Sequence, residues 1–137
     1  MTDDLSRLKD FHGHLGPYVV AGYRMGCLAL ERLAAEKHFG IEAEIASPGE
    51  PPPSCFLDGI QFSTGCTLGK QNIRPSLSTT VSGRFHNRRT GAAVAFRLRP
   101  EAIAKAVAVM QAHDDEAGAA VIQQMALDEL LEELPAE

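Results

Sequence analysis

Apolar residues wrap most of the stretch that begins at Pro17: Ala21, Met25, Leu28 and Ala29 form one stripe, with Val19, Tyr23, Leu30 and Leu33 around the rest. That spacing predicts a helix from Pro17 to about His38, halted at Gly40, with Gly16 ahead of its first turn. Gly22 and Gly26, four apart, would admit a second backbone at close range and favour tight packing or self-association. Strict alternation from Ile41 to Ala46 predicts a half-buried strand. A proline-rich loop, Ser47 to Ser54, leads into a short helix from Cys55 to Thr64, closed by Gly65. Leu77, Thr79, Val81 and Phe85, then Val94, Phe96 and Leu98, predict a hairpin around Asn87-Arg88-Arg89-Thr90-Gly91. Pro100 opens an amphipathic helix carrying Ile103, Val107 and Met110, and an acidic helix is expected from about Glu116 to Glu133. The order is helix, strand, helix, hairpin, helix, helix. It predicts an α+β domain, helices packed on a small mixed or antiparallel sheet, and excludes a doubly wound dinucleotide fold.

Composition narrows the class. The 137 residues suit a single domain spanning 1–137. Thirteen basic against eighteen acidic residues leave a formal charge of −5, which disfavours nucleic acid or an anionic membrane as partner. The best apolar stretch, Leu15 to Leu30, holds Pro17, three glycines and Arg24 and is too short to span a bilayer. Three cysteines cannot all pair within one chain, and Met1-Thr2-Asp3-Asp4 does not begin a secretory signal. A reducing, cytoplasmic setting is expected, with the cysteines as thiols, ligands or core filler.

Candidate chemistry starts at His12-Gly13-His14. In an extended backbone, residues two apart point the same way, and two converging imidazoles suit a borderline divalent ion such as zinc. The alternative is a pair of loop or capping histidines. The long helix carries the chain away and the strand returns it, so Cys55 is expected near the histidines, at a helix start where the dipole favours a thiolate. Asp58 lies one turn further on the same face, as base or orienting partner. If residues 55–64 form one helix, Cys66 lies about 15 Å beyond Cys55. It then serves elsewhere, or crosses a dimer interface, unless the helix is shorter. Cys27 reads as a small core residue. Gly65-Cys66-Thr67-Leu68-Gly69-Lys70 falls short of a phosphate-binding loop: three residues separate the glycines, and Gln71 stands where Ser or Thr is needed. Arg84, His86, Arg88 and Arg89 make a basic hairpin tip, read as a solvated face.

Taken together, F-H-G-H-L-G-P-Y (residues 11–18), G-Y-R-M-G (22–26) and C-F-L-D-G-I-Q-F-S-T-G-C-T-L-G-K-Q-N-I (55–73) resemble the E-subunit family of formylmethanofuran dehydrogenase over about residues 8–100. The resemblance implies an α+β core, commonly a homodimer, whose cleft binds a metal, most often zinc. By position it implies His12, His14, Cys55 and Cys66 as ligands, surrounded by Asp58, Gln61, Thr64, Thr67 and Lys70. The last cysteine is Cys66, so a family core without a cysteine-rich tail is expected. Gly59 stands where the family often has Ala, which costs the isolated helix up to about 1 kcal/mol. Two further roles are weighed beside it: the same cleft as a metal-dependent enzyme of unknown substrate, with Asp58 as base and Lys70 as anion holder, or an accessory subunit for a molybdenum or tungsten enzyme. A stand-alone formylmethanofuran dehydrogenase is not expected.

Overall fold

In a computed structural model, which describes residues 3–136, the long apolar stripe becomes the central helix. Here α1 is Asp3–His12 and α2 is Pro17–Leu33. The chain then runs through β1 (Ile41–Ser47), a single 3-10 turn (Pro53–Cys55), α3 (Phe56–Thr64), β2 (Ile73–Leu77), β3 (Ser82–Asn87) and β4 (Ala93–Leu98). It closes with α4 (Pro100–Ala112), α5 (Asp115–Gln124), the short α6 (Leu127–Leu130) and β5 (Leu131–Leu134). The sheet order is β2-β1-β3-β4-β5, with β1 and β2 parallel and the other pairs antiparallel. The expected α+β architecture with a mixed sheet holds. Ile41, Ala43 and Ile45 of β1 bury toward the helices. The other face carries polar pairs, His86 on Glu42 at 2.9 Å and Arg84 on Glu44 at 3.1 Å, which occupy half of the basic hairpin tip.

Four elements differ from expectation. The N-terminal α1 has no counterpart in the periodicity, because only Leu5 and Leu8 of its residues are buried. Helix α2 stops at Leu33 rather than His38: Ala34 turns left-handed, its amide bonds Glu31 O at 3.2 Å and that of Ala35 bonds Leu30 O at 3.1 Å. Asn87 caps this end by donating its side-chain amide to Leu33 O at 3.0 Å. Strand β2 replaces the expected start of the hairpin; it buries only Ile73 and takes Pro75 at the sheet edge, where a missing N–H is tolerated. The expected acidic helix breaks after Gln124, where Arg24 donates to Ile122 O at 2.9 Å and Met125 O at 2.5 Å. Its tail becomes β5, and Glu132 pairs with Arg97 of β4 at 2.6 Å.

The glycines of α2 do admit a second backbone, and it belongs to the same chain. A Cβ on Gly22 would run into the Phe56 carbonyl, one on Gly26 into Ser63 Oγ, and one on Gly59 into the Val19 carbonyl and Tyr23 amide. Helices α2 and α3 therefore cross in near backbone contact, which fixes the start of α3 against the start of α2. That crossing places the site.

Candidate functional site

Helix α1 ends at His12. Gly13 turns left-handed at φ 107° and its amide bonds Lys9 O at 2.7 Å, a turn that glycine adopts without penalty. The chain reverses through Gly16 into Pro17 of α2. The two imidazoles converge, with ring centroids 4.8 Å apart and planes at 35°. They do so through a helix end and a left-handed glycine, not through the extended backbone expected of them.

Asp58 reaches across from the first turn of α3. Its Oδ2 stands 2.6 Å from His12 Nδ1 and accepts the ring proton there. The His12 side chain is 8% exposed, and its Nε2 is buried without a hydrogen-bond partner. A carboxylate on one ring nitrogen fixes the tautomer and leaves a lone pair on the other. His14 is half exposed, with Nε2 3.6 Å from Asp115 Oδ2 at the start of α5. His12, His14 and Asp115 line a cavity of about 270 Å³ that Cys55 also lines, with Tyr18, Pro51, Pro52 and Met110 among its apolar walls.

Cys55 sits where expected, one residue before α3, yet its thiol is not favoured as thiolate. Burial pushes it above the ordinary value and the Asp58 carboxylate adds to this, against a smaller pull from a backbone hydrogen bond. Cys66 lies elsewhere: it is wholly buried in the core, and its thiol donates to Ile41 O at 3.4 Å. Lys70 also stays outside the cavity, with Nζ 3.4 Å from Thr67 Oγ1 and over the Phe39 ring. Thr64 and Thr67 serve structure: Thr64 Oγ1 donates to Ile60 O at 2.6 Å, and the Thr67 amide donates to Asn72 at 3.0 Å. Cys27 is exposed on α2 rather than in the core. Among the described residues, no three His, Cys, Asp or Glu side chains stand close enough together to hold a metal ion.

Sequence reasoning brought His12, His14, Cys55 and Asp58 to one place. It missed Asp115, Tyr18, Met110 and the Pro51-Pro52 wall. A signal existed for the first: Asp114 caps α5 by accepting the Ala117 amide at 2.8 Å, and Asp-Asp before an apolar run marks a helix start.

Helices on one face of a mixed sheet, with a histidine-lined cavity at the meeting of helix ends, define an α+β domain. The family model described as FmdE, molybdenum formylmethanofuran dehydrogenase operon, matches residues 11–136, and the chain belongs to that family. It is also 40% identical over 79 residues to a probable S-adenosyl-L-methionine-binding protein of Archaeoglobus fulgidus. That match takes in 53% of this chain and 20% of the relative's length. No helix of the described residues is long and apolar enough to cross a membrane.

Proposed function

We propose that this cavity is a metal site, for zinc in the first instance, with His12, His14 and Cys55 as its protein donors. The observation that carries this reading is the buried, unpartnered Nε2 of His12, whose ring Asp58 holds from the other side. An orphaned imidazole nitrogen in a nearly closed setting is costly unless a guest meets it. A histidine oriented by a carboxylate is the usual arrangement behind a metal ligand. Two imidazoles and one thiolate suit zinc, and three protein donors leave a position open to a ligand. His12, His14 and Cys55 all line the cavity but do not stand together as a three-ligand group, so loading would draw side chains in toward His12, which Asp58 holds. Cys66 and Lys70 take no part, and Asp58 orients His12 rather than serving as a free base.

Metal analysis of protein purified without a polyhistidine tag tests the reading. About one zinc per chain is expected, falling sharply in His14→Ala and Cys55→Ser. Asp58→Asn should weaken zinc affinity by roughly 10–100-fold while the chain stays folded. Metal content unchanged in both ligand variants rejects the site.

A second reading concerns the whole protein. The family's description ties its members to a molybdenum formylmethanofuran dehydrogenase operon, which supports an accessory role beside a molybdenum or tungsten enzyme. Pull-down from native cells would recover such an enzyme or a protein handling its cofactor; repeated recovery of neither removes this reading.

A further inference from the structure

We infer that one end of the molecule, formed by the turn before β1, the loop after α3 and the β3–β4 hairpin tip, docks a short acidic segment of a partner protein that carries an apolar side chain. None of its residues lines the histidine cavity, so the inference does not require the metal. The first observation is charge without a partner. Among the described residues, six of the thirteen lysines and arginines pair with carboxylates, and Arg24 and Arg99 bond backbone carbonyls. Of those that remain, Lys70, Arg88 and Arg89 all belong to this end. The second observation is apolar surface in the same place. Phe39 is 63% exposed and Leu68 is 67% exposed. Lys70 Nζ lies 5.8 Å from the centre of the Phe39 ring, and the next residue, Gly40, accepts the Arg88 amide at 2.9 Å. The buried Cys66 thiol, raised chiefly by desolvation, feels Lys70 and Arg88 both pulling the other way, which sets the two cations at one end of the fold.

This surface is braced from within. The buried Asn72 donates its side-chain amide to His38 O at 2.5 Å and to Ile41 O at 3.3 Å, and accepts the Thr67 amide at 3.0 Å. The Phe39 turn and the Leu68 loop are thereby tied together, and little freedom is lost when a guest arrives. Charge selects the guest. Glu42 is already held by His86 at 2.9 Å and by Arg74 at 3.7 Å, and Lys37 offsets Glu36 in the turn. The local excess is therefore positive, on a chain whose formal charge is −5. Physiological salt confines such an excess to about 8 Å. A nucleic acid or an anionic bilayer extends well beyond that and meets the acid of the rest of the chain. A short acidic segment meets the patch alone. The arginine forks match its carboxylates, and Phe39 and Leu68 receive its apolar side chain, since an exposed apolar patch rimmed by charge is the usual mark of a protein contact.

The test follows the amide NMR spectrum of the full chain, zinc-loaded and chelator-treated. The probes are a short peptide of Asp and Glu around a central Leu and Phe, a version with Lys for its acids, a version with Ser for its apolar residues, oligothymidylate, and phosphatidylglycerol vesicles. The acidic apolar peptide should move the amides of Phe39, Leu68, Lys70 and Arg88, in both metal states and less at high salt. The Lys and Ser versions should bind about tenfold more weakly or worse. Phe39→Ser and the double variant Arg88→Glu, Arg89→Glu change exposed positions, so both should keep the parent's melting temperature. Each should weaken the peptide about tenfold or more. Arg7→Glu, at another cation without a carboxylate partner, should leave binding unchanged. A peptide that moves no resonance at millimolar concentration, moves only others, or binds both variants as it binds the parent overturns the inference. Tighter binding of oligothymidylate or of the vesicles at the same salt overturns it as well, and assigns the surface to nucleic acid or lipid. Zinc uptake without peptide binding rejects this inference alone, and peptide binding without zinc uptake rejects the metal reading alone.

Discussion

At Cys55 two effects oppose each other: the start of α3 offers partial positive charge, while the surrounding protein and Asp58 disfavour the thiolate. Desolvation leads, as it does at the other two cysteines, and all three thiols shift upward from 9.0. Cys27 shows how local this is. It is exposed by surface area, yet enough protein surrounds its sulfur that burial still outweighs the help of Tyr23, Lys37 and Arg24. A group whose folded pKa is raised holds its proton more tightly folded than unfolded. The stability it adds is complete below the unfolded thiol value and is lost as pH rises through the folded one. The melting temperature should therefore hold up to about pH 8 and decline above about pH 9, with Tyr18 and Tyr23, also shifted upward, extending the decline. Cys66→Ala, at a wholly buried position, should melt lower at neutral pH because it leaves a cavity. It should also lose less between neutral and alkaline pH. Parent melting curves that are flat to about pH 10 would contradict this account of the thiols.

Between elements, the decisive contact is the crossing of α2 and α3. Considered as part of an isolated helix, Gly59 is a weakness that alanine would repair. At the crossing it faces the Val19 carbonyl and Tyr23 amide, with no space for a Cβ. Gly59→Ala is accordingly expected to destabilise the fold by about 1–3 kcal/mol in urea unfolding, despite the up to about 1 kcal/mol gained in helix propensity. A midpoint at or above the parent's would show that the helices can part without cost. The same distinction between local and long-range causes explains what could be read from the sequence. Prolines at helix starts gave α2 and α4, alternation gave β1, and Gly65 gave the end of α3, because each signal is local. Helix α2 ends on a left-handed Ala34, which carries no glycine signal. Strand β2 has one buried residue and a proline, and exists because β1 pairs with it. Strand β5 is written in helix-forming Leu and Glu and becomes a strand by closing on β4. The site divides likewise: His12 and His14 follow from one short spacing, Cys55 from the path of a helix out and a strand back, and Asp58 from its place one turn beyond Cys55, whereas Asp115 and Met110 arrive from the α4–α5 hairpin, which only the tertiary fold brings over.

On the scale of the whole molecule, the small-residue stripe that suggested self-association is already filled by α3, so a second copy has to meet a different surface. The outer side of α1, α2 and α3 offers one. Phe11 is 55% exposed, its ring lies 6.0 Å from Phe62, and Phe62 lies 6.0 Å from Tyr23. Beside this aromatic row runs a groove of about 540 Å³ bordered by Asp4, Glu31, Arg7 and Lys37. Two acids and two bases cancel, and a balanced groove can face its own copy across a twofold axis without net repulsion, even on a chain of charge −5. Sedimentation is expected to give twice the 14.7 kDa mass of the chain. Phe11→Glu should shift the protein to monomer, because it sets a charge on the exposed aromatic surface while leaving the core and the Asp58–His12 pair untouched. Arg7→Glu should weaken the dimer more modestly, by about 0.5–1 kcal/mol and less at high salt, by tipping the groove toward acid. Adding Glu31→Arg to it should restore the balance and the association. A parent that sediments as a monomer at high protein concentration would remove this interface, and a dimer indifferent to Phe11→Glu would move it to another face.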